Sequence, residues 1–209
     1  MTTSFGAQPL QRRMGAGYYT DEELRQFEWG ALGVDVRIKR NVVIPFTQNV
    51  YIGSHVRIDD FTVIVASSAD SPVRLGNHVF VGDLCHLAGS DGITLEDFSA
   101  VAPGCHLFSG SDDYTGQKLT GPTLPKELLG GPAGRVTLHR FVILGAGTVV
   151  HPGVEIGEGV AVGSLGLVRT DLEAWGIYAG SPVRRLRDRS RAMLDLLPQV
   201  TGSDARGSL

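Results

Sequence analysis

The chain has 209 residues, of which 42% are hydrophobic and 20% are charged, as is usual for a soluble globular protein. Its formal net charge of −3 gives no reason to expect nucleic acid or an anionic membrane as a partner. No apolar run approaches the roughly 20 residues of a membrane span, and the first residues lack the apolar core of a secretion signal. We therefore expect a cytoplasmic protein with one main domain, at 34–172, between segments 1–33 and 173–209.

A short helix is predicted to begin after Thr20 in the N-terminal segment. Three acids, Asp21 to Glu23, follow this threonine, which is the usual composition of a capped helix start. Leu24, Phe27 and Trp29 give the segment an apolar face. We interpret it as a cap over the open end of a repeat stack, since repeat proteins need their terminal faces covered.

From about residue 34, aliphatic residues recur every six positions. A period of six fits neither an α-helix, at about 3.6 residues per turn, nor a hairpin strand, at about 2, but it fits short strands joined by corners. After a loose start at Ile38 and Ile44, the sequence predicts five coils of three hexads, an all-β parallel β-helix of triangular cross-section. The coils are interrupted at Ser68–Pro72, at Gly89–Gly92 and, for longest, by loop 111–135. The predicted inward residues are Ile52, Ile58, Ile64, Leu75, Val81, Leu87, Leu95, Val101, Leu107, Leu138, Leu144, Val150, Ile156, Val162 and Val168.

Each hexad is expected to turn the residue before its inward aliphatic residue outward, and to fill the corner with a small residue four positions later. Cys85, Cys105 and Thr148 occupy such corner positions. Two cysteines without a CxxC pair make no disulfide framework, so we interpret both as small buried thiols.

The C-terminal segment is predicted to leave the coil stack through Pro182 and to continue as a basic helix of about fifteen residues. The apolar stripe of this helix would consist of Leu186, Met193, Leu194 and Leu197.

Two histidines are placed alike. His86 and His106 each directly precede an inward leucine, so they should lie outward on adjacent coils and form a two-step ladder, and Asp112 lies one hexad beyond. A carboxylate beside an imidazole fixes its tautomer and raises its pKa, which suits a general base. We therefore consider a ladder histidine as the base, oriented by Asp112 or Asp113; the alternative is a pair on a solvated or subunit-facing side. His151, beside Pro152, is interpreted as structural.

Three stretches, LGAGTVVHPGVEIGEGVAVGSLGLV, IYAGSPVRRLRDR and APGCHLFSGSDDY with the long loop after it, resemble the hexapeptide-repeat acyltransferases. The resemblance is strongest to sugar O- and N-acetyltransferases of the galactoside, maltose and xenobiotic type. It implies a left-handed β-helix and a homotrimer with active sites in the grooves between subunits. It also implies acetyl-coenzyme A as co-substrate, no metal, and a hydroxyl or amine of a sugar or nucleotide sugar as acceptor, in polysaccharide synthesis.

The sequence departs from the family motif at one decisive place, because Asp112 stands where the resemblance puts the catalytic histidine. Loop 111–135 contains no histidine at all. A second route therefore uses an amino-sugar acceptor, whose nitrogen need only lose a proton to water while Asp112 or Asp113 positions it. The polar cluster that ends at Tyr114 supports a substrate site there, although serine, aspartate and glycine are also common loop formers.

For coenzyme A, exposed corner amides at Gly145-Ala146 and Gly163-Ser164 can pair with the amide chain of the pantetheine arm, and glycine allows a close approach. The resemblance places Ala179 and the basic residues after it along this arm. The candidate phosphate partners are Arg184, Arg185 and Arg187; the alternative is a solvated face.

Two other functions remain open at this stage. A γ-class carbonic anhydrase uses the same prism with zinc held by three histidines across a subunit interface, of which His86 and His106 would supply two. A hexapeptide subunit without its histidine could also serve as a non-catalytic scaffold. The long loop and the basic tail favour the acyltransferase.

Overall fold

The computed structural model describes residues 17–204, and within them short parallel strands stack into three sheets around one apolar core. Each of the five full coils contributes one strand to each sheet, which we number sheets 1, 2 and 3 in the order in which the chain visits them. This is the parallel β-helix that the sixfold period predicts.

The strands follow the coils in chain order. An N-terminal coil contains β1 (Ala31–Leu32) and β2 (Arg37–Ile38). The first three of the five coils after it contain β3 (Val50–Ile52), β4 (Arg57–Ile58) and β5 (Val63–Val65); β6 (Val73–Leu75), β7 (Phe80–Val81) and β8 (His86–Ala88); and β9 (Ile93–Leu95), β10 (Ala100–Val101) and β11 (His106–Phe108). The last two contain β12 (Val136–Leu138), β13 (Ile143–Leu144) and β14 (Val149–Val150); and β15 (Glu155–Ile156), β16 (Ala161–Val162) and β17 (Leu167–Val168). Two further strands, β18 (Gly176–Gly180) and β19 (Val183–Asp188), form an antiparallel hairpin, and the helices are α1 (Asp21–Leu24) and α2 (Leu197–Asp204).

All fifteen predicted inward residues are buried, with at most 3% of their surface exposed. They stack in register, so that Leu87 lies on Leu107 and Leu107 on Val150 in sheet 3. The N-terminal coil, with Ile38 buried on β2, adds one coil to the five predicted. Its third side makes only a single bridge, between Val43 and Val63, next to the Pro45 that interrupts the repeat.

The corner between sheets 2 and 3 is filled as predicted by small buried side chains, at Thr62, Cys85, Cys105 and Thr148. Cys85 donates to the carbonyl of Ala102 at 3.3 Å, and Cys105 to that of Gly145 at 3.2 Å. The hydrogen bond with Cys105, together with burial, raises the pKa of Cys85. Cys85 is therefore an inert packing thiol at neutral pH.

Helix α1 begins where the sequence predicts. The Thr20 hydroxyl accepts from the Glu23 backbone N–H at 3.2 Å, and the Glu23 carboxylate accepts from the Thr20 N–H at 2.7 Å, which is a complete capping box. Leu24 is buried, and its carbonyl accepts from the Trp29 indole N–H at 2.7 Å. Neither described α-helix has the length and apolar character needed to cross a membrane.

The predicted C-terminal basic helix of about fifteen residues is wrong. Residues Val183–Asp188 form β19, which pairs antiparallel with β18, itself the continuation of sheet 2. The free edge of β18, which itself pairs with β16 of the last coil, offers β19 a ladder of backbone hydrogen bonds, and this outweighs its helical pattern. After β19, Ala192–Leu196 form a 3₁₀-helix, and helix α2 begins at Leu197, where the predicted helix was expected to end.

The hairpin is tied to the stack by Arg189. Its guanidinium donates to the carbonyls of Phe141 at 2.8 Å, Gly159 at 3.1 Å and Val160 at 3.3 Å, and burial lowers its pKa. Trp175 is buried against the last coils in the same region. Arg189 thus serves the fold.

We expect Leu107→Ala to lower the free energy of unfolding by about 2–5 kcal/mol, because it leaves a cavity in a core column that is fully buried. Leu186→Ala is the matched control, since this leucine on β19 is 64% exposed and its loss should cost less than about 0.5 kcal/mol. Urea unfolding of both variants measures the difference. Equal losses would contradict the assignment of Leu107 to the core.

Candidate functional site

The predicted histidine ladder lies on the outer face of sheet 3. His106 pairs directly with His86 across β11 and β8, and their ring centroids are 6.3 Å apart in an edge-on arrangement. Phe108 lies beside both, with its ring 6.0 Å from that of His86 and stacked at 6.0 Å on that of His106. The three rings form one aromatic cluster.

The ladder favours a neutral imidazole at His86. Partial burial lowers the pKa of His86, and the neighbouring His106 lowers it further, because two cations cannot share this surface at low cost. An uncharged His86 at neutral pH can accept a proton, which a general base must do.

A cavity of about 380 Å³ opens at the mouth of loop 111–135, next to this cluster. The loop leaves after β11 and returns beside it, where the Ser111 N–H donates to Pro132 at 2.9 Å and the Gly134 N–H to Ser109 at 2.8 Å. The cavity is lined by Phe108, Gly110, Ser111, Asp112, Tyr114, Val149, His151 and Pro152. Neither ladder histidine is among these residues, although His106 pairs with the lining residue Val149.

The two aspartates of the loop have different roles in the structure. Asp113 accepts from the Thr115 N–H and hydroxyl at 2.7 and 2.6 Å and from the N–H groups of Gln117 and Lys118, both at 2.8 Å. The hydrogen bonds from Thr115 lower the pKa of Asp113, which holds the loop in its shape. Asp112 accepts only one long bond, from the Gly121 N–H at 3.3 Å, and faces the cavity. Within residues 17–204, no hydrogen bond or ion pair joins either aspartate to a ladder histidine.

His151, which the sequence indicated to be structural, lines this cavity. His151 follows β14 one position after the pair Leu107–Val150, so it lies beside Phe108 in the outward row of sheet 3 and not in a corner. Burial lowers its pKa, and the nearby Arg169 adds to the effect. The signal was present in the repeat, since the residue after an inward aliphatic one on this side faces outward.

Comparison with known proteins shows which proteins this chain resembles. No family model matches the sequence. The dTDP-4-amino-4,6-dideoxy-D-glucose acyltransferase of Escherichia coli is 28% identical over 179 residues, 85% of this chain and 92% of that protein. Mutants of AntD, an N-acyltransferase from Bacillus cereus, match with a TM-score of 0.85 at 33% identity, over 91% of this chain and 99% of theirs.

The chain belongs to the hexapeptide-repeat sugar acyltransferases. It is an acyl-coenzyme A dependent enzyme with the left-handed β-helix of that family, and it transfers an acyl group to a sugar or nucleotide-linked sugar. Membership decides against the carbonic anhydrase and the non-catalytic scaffold. Escherichia coli K12 WbbJ, named as an O-acetyl transferase of lipopolysaccharide biosynthesis, is 26% identical over 153 residues, 72% of this chain and 74% of that protein.

The predicted corner amides of this hexapeptide-repeat acyltransferase differ in whether their N–H groups are used within the coil stack. The N–H groups of Gly145 and Gly163 are used in the stack, where they donate to Val162 and Tyr178, both at 2.8 Å. By contrast, the N–H groups of Ala146 and Ser164 donate to no group in the described part of the chain. Both residues are exposed on successive coils, so their amides can receive an extended amide chain.

The predicted phosphate partners of this acyltransferase lie on β19, next to Ala179 of β18. Arg185 is already engaged, because it donates to the Tyr178 hydroxyl at 3.1 Å and to Asp188 at 2.7 Å. Arg184 and Arg187 are exposed, and within residues 17–204 neither has an ion-pair partner. These two remain available for an anionic ligand.

We expect Asp113→Ala to accelerate amide hydrogen exchange at Thr115, Gln117 and Lys118, because it removes the carboxylate that orders these donors. Exchange measured by mass spectrometry over loop 111–135 tests this. Asp112→Ala is the matched control and should leave those three amides protected. Equal acceleration in both variants would contradict the division of roles.

Proposed function

We propose that the protein N-acylates a nucleotide-linked amino sugar, with a dTDP-linked 4-amino-4,6-dideoxyhexose as its acceptor. The observation that carries this is the likeness to AntD at 33% identity over 99% of that chain, which was crystallised with dTDP-4-amino-4,6-dideoxyglucose and coenzyme A. The acyl group is left to experiment between acetyl and 3-hydroxybutyryl, since AntD also carries 3-hydroxybutyryl-coenzyme A.

An amine acceptor also fits the chemistry of the loop mouth. A sugar hydroxyl requires a strong base to remove its proton as it attacks, and loop 111–135 contains no histidine. An amine is a nucleophile as soon as it is neutral, and a carboxylate is well suited to hold it in place. Asp112, which faces the cavity with nearly all of its acceptor capacity free, is the residue we assign to this role.

The remaining site residues receive supporting roles in the proposal. Tyr114 is 88% exposed on the rim of the cavity and is placed to contact the sugar ring. Asp113 shapes the loop that carries both. His86 and His106 remain candidates for the proton acceptor, through the neutral form that the lowered pKa of His86 favours.

On the donor side, we assign the pantetheine arm to the free amides of Ala146 and Ser164, with Gly145, Gly163 and Ala179 keeping the backbone accessible. A Cβ atom on Gly145 would come within 2.5 Å of the Ser164 nitrogen, so glycine is needed at this corner. The coenzyme phosphates are assigned to Arg184 and Arg187, with Arg185 holding the hairpin in place.

We also propose that the protein acts as a homotrimer in the cytoplasm, with residues 34–172 as the catalytic domain and a neighbouring subunit closing each site. The exposed apolar side chains at the corner between sheets 2 and 3, Phe61, Leu84 and Leu165, support burial of this edge by another subunit. Sedimentation equilibrium should give about three times the 22.3 kDa of one chain. A mass of one chain would remove this part of the proposal.

Release of free thiol from acetyl- and 3-hydroxybutyryl-coenzyme A tests the reaction. We expect turnover with dTDP-4-amino-4,6-dideoxyglucose and none with dTDP-6-deoxyglucose, which differs only by a hydroxyl in place of the amine. Asp112→Asn should lower kcat/KM about 100-fold, the usual cost of a misplaced acceptor. Glu127→Gln, an exposed loop carboxylate outside the cavity, is the control and should leave the rate unchanged. Faster turnover of the hydroxyl sugar would overturn the assignment to an amine.

A further inference from the structure

The cavity at the loop mouth contains one imidazole, and it is not one of the ladder histidines. From the described residues that line it, we infer that His151 accepts the proton which the acceptor's ammonium group must lose before it can attack the thioester. This inference rests on the proposed function and names the base for the same site.

Three elements bring groups to this point. The outward row of sheet 3 supplies Phe108 from β11 and His151 after β14, and the loop supplies Asp112 and Tyr114 across the opening. The returning loop is fixed over His151, because the Gly153 N–H donates to the Gly134 carbonyl at 2.9 Å. His151 itself is held by its own backbone N–H, which donates to Val168 at 2.9 Å. The imidazole is therefore carried by the end of a strand whose backbone is held in the coil stack.

The charges around His151 favour its neutral form. Arg169, one coil further along the same row, repels a proton on the ring, and burial has the same sign. The loop presents Asp112 and the Tyr114 hydroxyl, and Phe108 from the coil before carries no charge. Asp112 can therefore bind the ammonium group while the uncharged imidazole takes its proton, so the two residues divide positioning from proton transfer.

The ladder histidines are less well placed for this step. Phe108 stacks on His106, lies edge-on to His86 and also lines the cavity, whereas neither ladder histidine does. An acceptor bound in the cavity would therefore contact Phe108 and His151 directly. The ladder then supports Phe108, which forms one wall of the site.

Acyl transfer to the amine begins with the loss of a proton from the acceptor. His151 takes one proton from the sugar ammonium, and the freed lone pair attacks the thioester carbonyl, so that a C–N bond forms and the carbonyl becomes an oxyanion. As the oxyanion collapses, the C–S bond breaks, and the second proton on nitrogen passes to the departing sulfur to give the thiol. His151 then releases its proton to water.

The test is the pH profile of kcat/KM with dTDP-4-amino-4,6-dideoxyglucose. Wild-type activity should fall on the acid side as His151 becomes protonated. His151→Gln should lower kcat/KM about 100-fold or more and move the acid limb to the higher pH at which the acceptor's own amine loses its proton. Arg169→Gln removes the repelling cation, so it should raise the pKa of His151 and move the acid limb to higher pH. His139→Gln, on the outer face of sheet 1, is the matched control and should keep both rate and profile.

Several outcomes would overturn the inference. The acid limb would stay at its wild-type pH in His151→Gln if another group were the base, and it would move in His86→Gln or His106→Gln if a ladder histidine were. An unmoved limb in Arg169→Gln would also contradict it, even if His151→Gln failed to fold. If the wild type acylated only the hydroxyl sugar, the proposed acceptor would be wrong, and the same variants assayed with that sugar would still show whether His151 is the base.

Discussion

The fold and the site both depend on the column of aliphatic side chains that stack in register through sheet 3. Leu87, Leu107 and Val150 are fully buried one above another, at the spacing of parallel strands. A slip of one residue would turn this column to water and bring the histidines inside. Burial of the column therefore fixes which residues face outward, and that outer face is the floor of the proposed catalytic site.

Two outward rows result from this constraint, and they differ in chemistry. The row before the column carries His86 and His106, and the row after it carries Phe108, His151 and the exposed Arg169. Loop 111–135 begins after Phe108 and ends before the coil that carries His151. Its polar residues Asp112 and Tyr114 therefore line the same cavity as Phe108 and His151. The cavity lies where an insertion interrupts a regular repeat, which is how a rigid stack acquires a shaped site.

Much of this was predictable from the sequence, because the repeat period acts on every residue in the same way. The inward column, the corner thiols at Cys85 and Cys105, and the pairing of His86 with His106 follow from counting alone. The repeat period says nothing about the hydrogen bonds inside the loop, so it could not distinguish the roles of Asp112 and Asp113. It also could not show that Val183–Asp188 would form a strand, since this depends on the free edge of β18, which continues sheet 2 beyond the last coil. The period also could not show that His151, interpreted as structural beside Pro152 and Gly153, lines the cavity at the loop mouth.

The central claim is that acyl transfer takes place in the loop-mouth cavity, between Asp112 and His151. A crystal structure of the ternary complex with coenzyme A and dTDP-4-amino-4,6-dideoxyglucose tests it most directly. We predict the sugar nitrogen within about 3 Å of both the Asp112 carboxylate and a His151 ring nitrogen, with the coenzyme sulfur beside it. A second groove, on the outer face of sheet 1, is lined by residues that include Tyr51 and Arg74. A sugar bound there, and not in the loop-mouth cavity, would contradict the account.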